Sequence, residues 1–91
     1  MEIRFTARHM DGGVDHPHIG KLRWIADGTI ETKESTRSEL VDWIRNKNGQ
    51  GYVNDKDGNS VSVGVVNANP PYLQTHADGK WTDNLLALPT Y

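Results

Sequence analysis

The chain has 91 residues, no cysteine and a formal net charge of −2, with 35% hydrophobic and 24% charged residues. This length makes one small domain, residues 1–91, that buries only about two-thirds of its unfolded surface. The absence of cysteine excludes disulfides and thiolate metal sites, so a lean core is expected to be supplemented by self-association, with a homodimer as the default, or by a bound ligand.

The composition also limits which partners and which cellular location are expected for the protein. No apolar run approaches the roughly 20 residues that span a bilayer, so no membrane contact is expected. The slightly acidic balance makes nucleic acid an unfavourable partner. No hydrophobic leader is visible at the N-terminus, and a cytoplasmic location is therefore expected.

The first third of the chain predicts three strands. Residues 1–10 alternate, which places Ile3, Phe5, Ala7 and His9 on one face. A turn at Asp11-Gly12-Gly13 then leads to a second strand over 18–26. The second strand has Leu22 and Trp24 on one face and Ile19, Arg23 and Ile25 on the other. Asp27-Gly28 is a strong hairpin signal and predicts a third strand over 29–33.

A helix over about 36–47 follows. Thr36-Arg37-Ser38-Glu39 fits the capping box, in which the Thr hydroxyl and the Glu carboxylate each accept a hydrogen bond from a free backbone N–H. The next residues form an apolar stripe at helical spacing, made of Leu40, Val41, Trp43 and Ile44. Asn48-Gly49 is a typical signal for the C-terminal end of the helix.

The C-terminal half predicts further strands over 50–54 and about 60–65, where valines alternate with small residues. Pro70-Pro71 ends that strand. A short strand over 72–76 precedes the turn Asp78-Gly79 and a closing segment with Leu85, Leu86 and Leu88. The predicted fold is α+β: a twisted, mostly antiparallel sheet of five or six short strands with one amphipathic helix packed across it.

The closing segment carries a resemblance to a known family. The matching segments are Met10–Gly13, Leu22–Trp24, Ser35–Arg37, Val41–Ile44, Val63–Val66, Tyr72-Leu73 and the pattern Asp78-Gly79 to Asp83-Asn84-Leu85-Leu86 and Leu88-Pro89. Over nearly its whole length the chain resembles an uncharacterised bacterial domain of unknown function that also occurs in phage-borne genes. The resemblance implies an arginine after Tyr-Leu where this chain has Gln74, which weakens an anion-binding role there. It implies no activity.

No catalytic motif is recognisable. The chain has no nucleophile elbow, phosphate loop or dinucleotide fingerprint, so a non-enzymatic protein without a cofactor is expected. The cluster Asp11, Asp15, His16 and His18 is the best metal candidate, with His16 and His18 as weak ligands, because imidazole and carboxylate suit a divalent ion. Loop histidines on a protein surface are the commoner alternative.

Binding residues are the more informative candidates. The set is Arg8, Arg23, Ser35, Thr36, Arg37, Gln74, Trp81, Asp83 and Asn84. Guanidinium groups match phosphate and carboxylate, and Arg37 falls at a helix start, where free N–H groups favour an anion. The alternative interpretation is structural: Ser35 or Thr36 caps the helix, while Asp83 and Asn84 fix a turn.

Three functional hypotheses follow. The first is a binding module for a small anionic, nucleotide-derived ligand, with a phage sponge for a signalling nucleotide as an analogy. The second is a domain that binds or inhibits a partner protein through a sheet edge or a leucine-bearing surface. The third is a metal-dependent enzyme at the early histidines.

Overall fold

The structure is a computed structural model that describes residues 2–91. It contains seven strands, one α-helix and one short 3₁₀ turn. In chain order these are β1 (Glu2–Met10), the 3₁₀ turn (His16–His18), β2 (Ile19–Ala26), β3 (Thr32–Thr36), α1 (Arg37–Asn46), β4 (Gln50–Asn54), β5 (Ser60–Val66), β6 (Tyr72–Ala77) and β7 (Lys80–Thr82). The α+β class with one helix is confirmed.

The strands form a single mixed sheet with the order β3-β2-β1-β4-β5-β6-β7. Two antiparallel meanders meet where β1 and β4 run parallel. The connection between those two central strands includes α1, as expected for a parallel crossover. The prediction of five or six strands was wrong. The turn at Asp78-Gly79, after which only a closing segment was predicted, leads into the additional strand β7, whose Lys80 pairs with Ala77 of β6.

The third strand lies three residues later than predicted. Its expected span was 29–33, but β3 runs from Thr32 to Thr36. The N–H and the hydroxyl of Thr29 both donate to the carbonyl of Ala26, at 3.0 and 2.8 Å. Thr29 therefore closes the turn that Asp27-Gly28 begins and does not start the next strand.

The predicted strand faces were right for Ile3 with Phe5, which are both buried, but wrong for Ala7, His9 and Ile19, because the β1–β2 pairing contains two irregularities. Phe5 pairs with Trp24 and Ala7 with Arg23, which leaves Thr6 without a partner and reverses the alternation beyond it. Ala7 and His9 consequently do not share a face with Phe5. The second irregularity lies at Gly20, which has no partner in β1, so Ile19 and Leu22 are both buried although they stand three residues apart.

The helix follows its sequence signals closely. Thr36 is the N-cap, and its hydroxyl accepts from the N–H of Glu39 at 3.2 Å while the Glu39 carboxylate accepts from the N–H of Thr36 at 2.9 Å. Leu40 and Val41 point into the core. At the other end Asn48 takes a left-handed conformation with φ of 54°, and the N–H of Gly49 donates to the Trp43 carbonyl.

The closing segment is part of the core. Leu85 is fully buried with residues from β1, β2, β4, β5, β6 and α1. Beyond it the chain lies against β1, where the N–H of Arg8 donates to the Pro89 carbonyl and the N–H of Tyr91 donates to the Arg8 carbonyl, at 2.9 and 3.0 Å. None of the helices in the described chain is long and apolar enough to cross a membrane.

Candidate functional site

A cleft of about 600 Å³ opens at the N-terminus of α1. The helix start forms one wall, the 3₁₀ turn and the loop before it form the second, and the β5–β6 connection forms the third. Its lining residues are Asp11, Pro17, His18, Gly20, Thr36, Arg37, Ser38, Ala68, Asn69, Pro70 and Tyr72. The volume falls within the usual range for small-molecule sites.

Arg37 is the cation of this cleft. It occupies the first helical position and Ser38 the second, where backbone N–H groups have no partner within a helix and the helix dipole is positive. The Nη1 atom of Arg37 donates to the Pro17 carbonyl at 2.6 Å. That bond fixes the guanidinium across the cleft and leaves its remaining N–H donors for another group.

Two polar groups face Arg37 from the loop wall. The N–H of Asp11 donates to the His18 carbonyl at 2.7 Å, and the His18 Nδ1 atom lies 3.3 Å from the Asp11 carbonyl. These contacts hold the loop closed on itself. The site therefore combines a guanidinium, an imidazole and the Asp11 carboxylate, with Tyr72 as the aromatic surface.

Ser35 and Thr36 serve the structure first. The Ser35 hydroxyl accepts from the indole N–H of Trp24 at 3.0 Å, which directs it away from the cleft lining. Thr36 lines the cleft, but its hydroxyl is engaged in the capping box. Among Ser35, Thr36 and Arg37, it is therefore Arg37 that has hydrogen-bond donors available for a ligand.

Arg8 and Arg23 hold the C-terminus. The Nε of Arg8 donates to the Leu88 carbonyl at 3.0 Å. The guanidinium of Arg23 lies 4.0 Å from the centre of the Tyr91 ring, a cation–π distance. Both guanidinium groups contact the last few residues of the chain, and neither arginine lines the cleft at the helix corner.

The remaining polar candidates belong to a network that anchors the closing segment. The Gln74 side chain donates to the Thr82 carbonyl at 3.2 Å. The side-chain amide oxygen of Asn84 (Oδ1) accepts from the Thr82 hydroxyl at 2.8 Å, and the backbone N–H of Asn84 donates to the hydroxyl of fully buried Thr75 at 3.1 Å. Sequence reasoning did not single out Thr75, which is the centre of this network.

Trp81 and Asp83 are both exposed. Trp81 is 49% exposed on the edge strand β7, and its ring meets the ring of His76 edge-on with centroids 5.6 Å apart. Asp83 places a carboxylate oxygen 4.0 Å from the Nε2 of His16. Neither residue reaches the cleft.

The early histidines are the first and last residues of the 3₁₀ turn, and their surroundings differ. His16 is buried with 7% exposure, and its Nε2 has no hydrogen-bond partner. Burial lowers the pKa of His16, opposed by the nearby Asp83 carboxylate. His18 instead lines the cleft. Within residues 2–91 no three His, Asp or Glu side chains come together as a metal site would require.

The cleft residues that sequence reasoning missed come from the β5–β6 connection. Asn69, Pro70 and Tyr72 carry no chemical motif of their own, and the Asn69–Pro70 peptide bond is cis. Only the position of β6 in the sheet brings them opposite the helix start. The early turn containing Asp11 was noted as part of the metal candidate, and its position beside Arg37 likewise depends on the fold.

The fold and the cleft define a small α+β domain with a polar recess at the corner where the helix begins. The chain belongs to the family described as Protein of unknown function (DUF3892), which matches residues 2–89. The expected resemblance to an uncharacterised small domain family is thereby confirmed. No curated protein and no solved structure matches the chain.

Proposed function

We propose that this protein is a non-enzymatic binding module that captures a small anionic, nucleotide-derived ligand in the cleft at the N-terminus of α1. The observation that carries the proposal is the position of Arg37. Its guanidinium and the first free N–H groups of a ten-residue helix face the same recess. Such a combination favours phosphate or carboxylate.

The other walls suit the remainder of a nucleotide. The Tyr72 ring offers a stacking surface, and stacking of this kind tolerates any base. Asp11 can accept hydrogen bonds from ligand N–H or O–H groups, while the Asn69 amide both donates and accepts. Asp11 also disfavours a purely anionic ligand, since a bare anion gains nothing from a carboxylate across the cleft. A ligand with one anionic end and one neutral polar end fits the charge distribution better.

Binding is a better account of the cleft than catalysis. Arg37 and Asp11 are the charged groups that line it, beside one histidine. The Thr36 hydroxyl in the cleft donates to the Glu39 carboxylate at 3.0 Å, but both groups are held in the helix cap. The hydroxyl of Ser38 lies 3.3 Å from that of Thr36, within the capping region. The proposal places the protein in the cytoplasm, where capture of a signalling nucleotide by a phage-encoded protein is one use, by analogy alone.

The test is a thermal-shift measurement with cyclic and linear nucleotides and with inorganic phosphate. A ligand at 100 times its Kd stabilises the folded state by about 2.7 kcal/mol, which raises the Tm by several degrees for a domain of this size. We expect at least one nucleotide to raise the Tm more than phosphate does. An unmoved Tm across the panel would remove the support for this proposal.

The matched variants are Arg37→Gln and Arg4→Gln, which remove the same charge at the helix corner and on β1. Arg37→Gln also removes the bond to the Pro17 carbonyl, so the quantity to compare is the ligand-induced shift and not the Tm itself. We expect Arg37→Gln to abolish the shift and Arg4→Gln to preserve it. Equal losses in the two variants would point to general charge attraction.

A partner-protein function is the second candidate, favoured by the open edge of the sheet. Strand β3 is the terminal strand on its side, with Thr32, Lys33 and Glu34 exposed, and the preceding loop leaves Ile30 98% exposed. An edge strand of this kind accepts a strand from another chain or from a second copy of the same chain. Lys33→Pro would block such pairing. Loss of a stoichiometric protein complex or of a dimer in that variant would support this function.

A further inference from the structure

A second recess lies between α1 and the sheet, around the middle of the helix. It holds about 300 Å³ and is lined by the apolar side chains of Ile3 and Leu40, two indoles, and charged residues of the helix. We call it the tryptophan slot, formed by Trp24 and Trp43 with Glu39 and Asp42. It shares no lining residue with the cleft at the helix N-terminus. Its lining has two carboxylates and one amine, whereas the cleft has one guanidinium and one carboxylate.

The indoles give the tryptophan slot two aromatic walls on fixed supports. The N–H of Trp24 donates to the Ser35 hydroxyl at 3.0 Å, which sets the orientation of its ring. The ring of Trp43 packs directly on Gly49, where any added Cβ would overlap it. Both rings are half-buried, so each retains an accessible part. Aromatic faces attract cations through the negative potential above the ring.

Two carboxylates stand at the mouth of the slot. Glu39 and Asp42 are three residues apart on one side of the helix. The Glu39 carboxylate accepts hydrogen bonds from the N–H and from the hydroxyl of Thr36, both at its Oε1 atom, which leaves Oε2 as a further acceptor. The hydrogen bond from the Thr36 N–H lowers the pKa of the Glu39 carboxyl, so that group is ionised at neutral pH.

The protein's own amines already occupy the positions that a cationic ligand would take. The Nζ of Lys33 lies 5.9 Å from the centre of the Trp24 ring. The Nζ of Lys47 lies 3.8 Å from a carboxylate oxygen of Asp42, in a pair whose side chains are 68% and 54% exposed. Exposed pairs of this kind contribute little and exchange readily with solvent. A ligand ammonium group can displace them.

We propose that the tryptophan slot binds a small organic ammonium ion, with its apolar body against Trp24, Trp43 and Leu40 and its charged nitrogen toward Asp42 and Glu39. The geometry selects against anions, since carboxylates outnumber amines among the lining residues. It also selects against metal ions, which keep their hydration shells and therefore do not approach the indole faces as closely as an organic ammonium group does. An apolar body of single-ring size suits a recess of this volume.

Benzylamine is a suitable probe, and benzyl alcohol is its uncharged counterpart of nearly the same shape. The three indole N–H signals of a ¹H–¹⁵N spectrum report separately on the slot, because Trp81 lies on β7 at the far edge of the sheet. We expect benzylamine to shift the Trp24 and Trp43 signals saturably and to leave Trp81 unmoved. Cation–π and charge contributions together predict roughly 3- to 30-fold tighter binding of benzylamine than of benzyl alcohol.

Three variants test the charge contribution. Asp42→Asn keeps the side-chain shape and should reduce the preference for benzylamine, while Asp57→Asn, in the β4–β5 turn, makes the same charge change as the control. Lys47→Ala should strengthen benzylamine binding, since it removes the competing amine. Equal affinity for the two probes, or shifts in all three indole signals alike, would overturn the proposal, as would the absence of any shift.

Discussion

The closing segment offers a quantitative test through Leu85. This side chain is fully buried in the core although it lies only six residues from the C-terminus. Replacing it with alanine removes buried methylenes and leaves a cavity, a change that costs about 3–5 kcal/mol at well-packed sites. A domain of this size has a total stability of about 5–14 kcal/mol, so Leu85→Ala should remove a large share of it.

Urea unfolding measures this effect directly. With a slope of about 1 kcal/mol per molar urea for a small domain, the midpoint of unfolding should fall by about 3–5 M. Leu86→Ala is the matched control, because Leu86 is only half-buried and its truncation should cost clearly less. A loss below about 0.5 kcal/mol for Leu85→Ala would be typical of a surface position. That result would refute the conclusion that the closing segment belongs to the core.

Three further substitutions test other features of the fold. Gly51→Ala should destabilise the protein by about 1–3 kcal/mol, because the added Cβ would overlap the Phe5 ring, and urea unfolding measures the loss. Thr36→Ala should cost about 0.5–2 kcal/mol through loss of the helix cap, whereas Thr32→Ala on the exposed end of β3 should cost less. Burial lowers the pKa of His16 below its ordinary value of 6.5, so the unfolded chain takes up the proton first. Stability should therefore fall as the pH drops through about 6.5 and level off below the folded pKa. His16→Gln should flatten the pH dependence of the free energy of unfolding. The same pH dependence in the variant as in the original protein would contradict its attribution to His16.

The local elements could be predicted because their signals lie in adjacent residues. The glycines of the four Asp-Gly turns all take positive φ, with values of 80°, 85°, 83° and 77° for Gly12, Gly28, Gly58 and Gly79. The capping box and the apolar stripe placed the helix to within a residue at each end. The seventh strand also had a signal. Asp78-Gly79 is a two-residue hairpin turn, and Trp81 and Thr82 are typical strand residues.

The arrangement of the sheet could not be predicted, because it depends on contacts between distant residues. Nothing in the local sequence of β1 indicates that its start pairs with β4 in parallel. The irregularities at Thr6 and Gly20 depend on which strand lies opposite. The irregularity at Thr6 reversed the predicted orientation of Ala7 and His9, and the one at Gly20 changed the face of Ile19. A one-residue change of register moves every following side chain to the other face.

The candidate site could be predicted only in part, because some of its residues are placed by local signals and others by contacts between distant strands. Arg37 could be placed at the helix corner from the capping box alone. Tyr72 and Asn69 could not be placed beside it, because their position depends on the strand order. Arg8 and Arg23 have the chemistry of an anion site, yet the closing segment lies close to both.

The most direct test of the proposed function is a titration of the ¹⁵N-labelled protein with the nucleotide panel, following the backbone amides of Arg37 and Ser38. These N–H groups stand at the first two positions of the helix and respond strongly when an anion accepts a hydrogen bond from them. We expect saturable shifts of both amides with at least one nucleotide, and their loss in Arg37→Gln. Shifts confined to residues outside the cleft, or shifts that persist in Arg37→Gln, would contradict the proposed anion site.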